Sequence, residues 1–348
     1  MNQRSLLNIA ATCLAASAII ALQGCGDSKA PETTAKTTTG GGAAAEAGTV
    51  TIDGSNTVYP IMEAASANYK SQSQDKITVG KAGTGAGMKK FIAGEIDIAD
   101  ASRPIKKDED AKLQEAKRDY IEVAVAYDGL CIVVNPKNQW LKSITLDQLH
   151  KIWDKASTVK KWNEVDPSWP AQDIKLVGPT SAHGTYEYFN EVVNKDGKNT
   201  RQDYSQQAEY DGVVGVVGRD ENALGYMGFS YAELNADKVH VVPVDAGKGP
   251  ITPSKATILD GTCAPFCRPL LAYIDAKALD SKPAVKKFLE YFLDTANAGK
   301  AVTAAGYVPL PDDLYQVARD RVAKKVLGSV TMAAVPGTPY KDLVAAKK

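Results

Sequence analysis

Three short stretches place glycines and small hydroxylated residues just ahead of helix-spaced apolar runs. They are Asp53-Gly54-Ser55-Asn56-Thr57-Val58-Tyr59-Pro60, Gly83-Thr84-Gly85-Ala86-Gly87-Met88 and Ser181-Ala182-His183-Gly184-Thr185-Tyr186. The first turn of a helix has N–H groups without intrahelical partners and a partial positive charge. Glycine lets the backbone approach closely, and a Ser or Thr hydroxyl adds a donor. The chemistry this suits is recognition of an anion. Each turn alone also reads as an ordinary cap, since Ser and Thr are common there. Three in one chain, with Ser102-Arg103-Pro104 after a further strand, point to one converging site.

Other chemistries are poorly supplied. Gly83 to Gly87 lacks the last glycine spacing of a dinucleotide fingerprint and the Gly-Lys-Ser/Thr ending of a phosphate loop. There is no Gly-x-Ser-x-Gly elbow for a serine hydrolase. His150, His183 and His240 show no metal-binding spacing. The expectation is a binding module with no metal, no cofactor and no catalysis. Lys plus Arg and Asp plus Glu both number 41, so the chain lacks the basic excess of a non-specific nucleic-acid binder. With 348 residues, 44% apolar and 24% charged, it can build two domains. Disordered, collagen-like and multi-span membrane classes do not fit.

The elements that must hold these turns alternate between strand and helix. Thr49 to Ile52, Ile77 to Val79, Ile96 to Ala99, Leu130 to Val134 and Ile174 to Val177 read as strands. Gly225 to Gly228 and His240 to Val244 are further strand pieces. Helical spacing follows Pro60, Met88, Leu146 and Tyr186, and returns over Ala284–Leu293 and Asp313–Leu327. This rhythm argues for an α/β protein with largely parallel sheets.

The first 24 residues read as an address. Arg4 precedes an apolar run from Leu6 to Leu22, then Leu22-Gln23-Gly24-Cys25. That is the layout of a secretory signal, and a cysteine after the small residue resembles a bacterial lipobox with Cys25 as the lipidated residue. The alternative, an uncleaved anchor helix, would be short and polar in places. Residues 25–48 are rich in Thr, Gly and Ala and read as a flexible tether, about 25 Å in root-mean-square span.

The ordered set of segments resembles the phosphate-binding protein of bacterial ABC phosphate importers, the PstS family. The segments are Asp53 to Pro60, Gly83 to Gly87, Asp97-Ile98-Ala99-Asp100-Ala101-Ser102-Arg103-Pro104-Ile105, Ala126-Tyr127-Asp128-Gly129-Leu130 and Gly178-Pro179. They continue with Gly184 to Phe189, Asn222 to Tyr226, Arg268-Pro269-Leu270 and Gly306 to Pro311. The resemblance spans about residues 50 to 320. It implies a periplasmic-binding-protein fold, with two α/β lobes joined by a two-strand hinge. One lobe would be 49–126 plus 268–348 and the other 127–267. It further implies a monomer in the periplasm or at the cell surface, lipid-anchored, that captures inorganic phosphate and delivers it to an ABC permease and its ATPase. Sulfate, molybdate or a phosphonate is the alternative ligand, and a phosphatase the reading from another class.

By position, the resemblance implies Ser55, Thr57 and the Val58 N–H at the first turn, Thr84 at the second, Ser102 and Arg103 after the third strand, and Gly184 with Thr185 in the other lobe. The family often has Asp then Ser before that Gly-Thr pair, where this chain has Ala182 and His183. His183 could donate to phosphate in place of the serine, or point away and leave the work to backbone N–H groups. An arginine common near Pro179 is absent. The cation is therefore expected to be Arg103, with Arg201 behind it. Phosphate at neutral pH carries a proton that sulfate lacks, so a buried carboxylate can accept from one and repel the other. Asp128 is the first candidate for it and Asp100 the second. Cys263 and Cys267 are open between a disulfide and free thiols. Cys131 reads as core. Trp140, Trp153, Trp162 and Trp169 are expected to cluster in the second lobe as packing and loop cover.

Overall fold

Alternating Val50 and Ile52, both buried, fix the inward face of the first strand, β1 (Thr49–Gly54). In the computed structural model the described residues are 47–334 and 338–346. The expected signal segment and Cys25 lie outside them. β1 is followed by α1 (Tyr59–Tyr69), with Pro60 in its first turn, where a missing N–H costs nothing. Then come β2 (Lys76–Val79), α2 (Thr84–Ala93), β3 (Ile98–Ala101) and α3 (Lys107–Glu115). β3 starts two residues later than its alternation predicts. Asp100 therefore ends inside the strand, and Ser102 directly follows it.

β4 (Tyr120–Val134) is buried over all of its 15 residues, about 50 Å of chain. Only its second part, from Leu130, is anticipated by a continuous apolar run. After it come β5 (Ile144–Thr145), α4 (Leu146–Trp153), β6 (Lys175–Pro179), α5 (Gly184–Asn194), β7 (Ser205–Gln207), α6 (Tyr210–Arg219), β8 (Ala223–Gly228) and β9 (His240–Val242). β10 (Val244–Asp245), β11 (Pro250–Ile251) and β12 (Cys267–Asp275) complete the strands. β5, β10 and β11 form a small separate sheet. The main sheet runs β2-β1-β3-β12-β4-β8-β6-β7, with β9 also on β4.

The sheet is mixed rather than largely parallel. β1 is parallel to β2 and β3, and β6 is parallel to β7 and β8. The middle is antiparallel: β12 against β3 and β4, and β4 against β8 and β9. Strand–helix alternation carries no strand direction, and β12 is a late return into the centre. β4 pairs with β12 over Tyr120–Gly129 and with β8 over Leu130–Val134. Its partner changes at Gly129, so β4 threads both parts of the sheet.

Two features pin this frame. Glu122, fully buried on β4, accepts from the Tyr273 hydroxyl at 2.9 Å, the Val330 N–H at 2.9 Å and the Thr331 N–H at 3.1 Å. It also accepts from the hydroxyls of Thr331, at 2.7 Å, and Ser329. The chain after Lys324 is thereby tied to the central strand. Cys263 and Cys267 are joined, with Cα atoms 5.6 Å apart, at the start of β12. Cys131 is buried in β4, and burial pushes its thiol far above the usual range. The four tryptophans share one hydrophobic cluster, as expected, in two sets of ring contacts. Trp140, Trp162 and Trp169 meet with ring centres 4.8 to 5.8 Å apart, whereas Trp153 packs edge-on to Phe189, Tyr204 and Tyr226.

Candidate functional site

Counted along the chain, the turns at 53–60, 83–87, 102–104 and 181–186 are the first to the fourth, and the first three are tied to one another at the C-terminal ends of β1 and β3, where open α/β sheets bind ligands. Gly54 has φ +147°, and a Cβ there would lie 2.1 Å from the Asp100 carbonyl oxygen. Only glycine fits this approach. It lets the Ser55 N–H donate to the Asp100 carbonyl at 3.0 Å and the Gly83 N–H donate to the Gly54 carbonyl at 2.7 Å. Ser55 Oγ accepts the Thr57 N–H at 3.1 Å, so this hydroxyl shapes the turn. Thr84 Oγ1 lies 3.2 Å from Ser102 Oγ and accepts the Ser102 N–H at 3.3 Å. Val58 is the N-cap residue of α1.

The fourth turn comes in from α5. A Cβ on Gly184 would lie 2.5 Å from Thr57 Oγ1, 2.7 Å from Thr57 Cα and 2.8 Å from Thr57 N. The start of α5 is thus seated directly on the first turn. Thr185 bonds its hydroxyl to that of Tyr210. A groove of about 700 Å³ opens beside this contact, between Asn56, Gly83 and Gly85 on one side and Ser181, Tyr186 and Glu187 on the other.

His183 is the N-cap of α5. Its Nδ1 accepts the Thr185 N–H at 3.3 Å, and its ring lies 4.5 Å from that of Tyr210. A nitrogen that accepts is unprotonated, so in this arrangement the neutral ring carries its proton on Nε2. Burial lowers the histidine's pKa, opposed by the charge of Glu209. Folding favours the neutral ring, so its stabilisation is full above the ordinary pKa of 6.5 and is lost as pH falls through the lowered folded value. Ser is also a good N-cap. The unliganded parent should therefore lose melting temperature relative to His183→Ser as the pH drops below about 6.5. A difference that stays constant over that range contradicts this.

The two carboxylates differ in their neighbours. Asp100 is fully buried, and neither of its oxygens has a partner. Burial first, and the charge of Asp53 second, push its pKa well above the usual range. Both causes favour its protonated form. Asp128 is also buried and raised, but Arg268 beside it works the other way. Arg268 Nε lies 3.6 Å from Asp128 Oδ2, because β12 and β4 pair these two residues in register.

The arginines named from sequence are already engaged. Arg103 forks onto Glu109 at 2.7 and 2.9 Å and donates to the Pro104 carbonyl at 3.0 Å. Arg201 donates to both oxygens of Asp203 and to the carbonyls of Ile152 and Val159. Arg268, the cation beside Asp128, enters the sequence reading only within an Arg-Pro-Leu motif. Cross-strand register, which brings the two together, is not written in the local sequence.

Seven of the ten buried side-chain atoms without a partner among the described residues belong to these turns and to β3, β4 and β12 beside them: Asn56 Oδ1, Thr57 Oγ1, both Asp100 oxygens, Tyr127 OH, Asp128 Oδ2 and Arg268 Nε; the other three are on Arg118, Trp162 and Asn163. Native interiors leave few such atoms unpaired, so a polar species of both donor and acceptor character fits among them. Among the described residues, no three His, Cys, Asp or Glu side chains are grouped to hold a metal, and no helix is long and apolar enough to cross a membrane.

Comparison with known proteins gives a consistent set. The family model described as a PBP superfamily domain matches residues 39–296. The chain is 38% identical over 284 residues to the protein SphX of Synechocystis, covering 81% of this chain and 84% of that one. It is 39% identical over 267 residues to the phosphate-binding protein PstS of Staphylococcus aureus, covering 76% and 79%. A crystal structure described as a possible phosphate binding protein from Planctomyces limnophilus superposes with a TM-score of 0.76 at 38% identity. It covers 80% of this chain and 98% of that one.

Proposed function

Since the chain belongs to the PBP superfamily, among the phosphate-binding proteins of bacterial ABC phosphate importers, we propose that it captures inorganic phosphate between the α5 start and the turns after β1, β2 and β3. It then hands the ion to an ABC permease driven by its ATPase. The observation that carries this is the seating of Gly184 on Thr57, which brings the N-termini of α1 and α5 together beside unpaired buried polar atoms. Helix N-termini supply donors and positive potential to one anion. Thr57, Ser55, the Val58 N–H, Thr84 and Ser102 would contact it from one side, and Gly184 and Thr185 from the other.

The two sides would be lobes, 49–126 plus 268–348 and 127–267, with β4 and β12 as the strands between them. Leu22-Gln23-Gly24-Cys25 supports export and a lipid anchor on Cys25, outside the inner membrane. The protein acts as a monomer and does no chemistry of its own.

Selectivity falls to Asp128. An acceptor for the phosphate proton must be ionised, and Arg268 beside Asp128 favours that form. Asp100 has no cation beside it and an anion nearby, so it suits donation instead. With sulfate, the Asp128 lone pair would face an unprotonated, repelling oxygen. Asp128→Asn should lower the phosphate-to-sulfate affinity ratio by about tenfold or more, with a smaller loss of phosphate affinity, because Asn can donate to sulfate. Competition calorimetry with phosphate, arsenate and sulfate tests this. An unchanged ratio removes Asp128 from the role.

A further inference from the structure

Arg268 sits at the start of β12 with its side chain 13% exposed. Its guanidinium carbon lies 3.4 Å over the Tyr188 ring of α5, and its NH1 donates to Glu191, also on α5, at 3.2 Å. The Nε lies too far from Asp128, at 3.6 Å, for a hydrogen bond, and has no other acceptor. Arg103, by contrast, spends both terminal nitrogens on Glu109 and the Pro104 carbonyl, and Arg201 spends NH1 on the Ile152 and Val159 carbonyls and NH2 on Asp203. Arg268 and Arg103 both line one cavity of about 310 Å³ together with Ser102, Tyr127 and Tyr188, so both stand beside Ser102, and it is their hydrogen-bond engagement that sets them apart.

We propose that Arg268, rather than Arg103, is the cation that compensates the charge of the bound anion. This rests on the phosphate reading above. A planar guanidinium offers paired donors to a tetrahedral oxyanion, and stacking on an aromatic ring fixes its plane. Tyr188 supplies that ring. Glu191 fixes one side of the head by a hydrogen bond and Asp128 lies on the other.

The test is calorimetric titration with inorganic phosphate of the parent, Arg268→Ala, Arg268→Lys and Arg103→Ala. Arg268→Ala should lose on the order of 100-fold in affinity, and Arg103→Ala clearly less. Millimolar guanidinium should restore part of the binding to Arg268→Ala and none to the others, which a merely structural role would not produce. Should Arg268→Ala fail to fold, Arg268→Lys decides. It keeps a charge opposite Asp128 but has no fork, so an affinity loss of about tenfold at parental melting temperature supports the assignment. Parental affinity in a folded Arg268→Ala or Arg268→Lys, or a larger loss in Arg103→Ala, overturns it. A parent that binds no phosphate fails earlier, at the functional reading, and takes this assignment with it.

Discussion

Gly184→Ala should cost about 100-fold or more in phosphate affinity while the unliganded protein keeps its melting temperature. The added Cβ would lie 2.5 to 2.8 Å from Thr57 Oγ1, Cα and N. Two of those atoms are backbone and cannot rotate away, so the start of α5 must withdraw from the first turn. Withdrawal separates the two sets of donors that the anion bridges. The fold itself is not threatened, because alanine is at home in a helix and this glycine has no positive φ. Calorimetry and small-angle scattering read the two halves of the effect. The parent should contract on adding phosphate, and the variant should not. Parental affinity in Gly184→Ala would mean that the seating on Thr57 plays no part in binding.

Glu122→Ala should destabilise the protein by at least about 3 kcal/mol. The carboxylate is fully buried and serves donors from Tyr273, Ser329, Val330 and Thr331. Truncation leaves those donors unpaired in the interior, which costs more than the lost bonds alone. In a chain of this size that amounts to a melting temperature lower by about 4 °C or more. Hydrogen exchange should show Val330 and Thr331 opening first, since Glu122 accepts their N–H groups. Parental melting temperature and exchange would contradict the clamp.

Much of the site was legible because turn chemistry is local. The glycines and hydroxyls of Asp53–Pro60, Gly83–Gly87 and Ser181–Tyr186 announce helix starts by composition, and all three sit at helix starts in the fold. What the sequence withheld depends on pairing across distance. Arg268 meets Asp128 through strand register, and a motif cannot state a register. Arg103 lies next to Ser102 in sequence, yet its fork closes on Glu109 one helical turn into α3. Glu122 was overlooked, although a lone acid in the run Tyr120-Ile121-Glu122-Val123-Ala124-Val125 is a usable signal, since buried charges demand partners. The antiparallel centre was missed for a related reason: direction belongs to connections, and the one to β12 is long.

The central claim is that one anion, and specifically phosphate, occupies the junction of α5 with the turns after β1, β2 and β3. The most direct measurement is calorimetric titration of the purified protein with inorganic phosphate in the presence of a large excess of sulfate. One phosphate should bind per chain, with affinity little changed by the sulfate. Absence of phosphate binding, or its displacement by sulfate, would contradict the account.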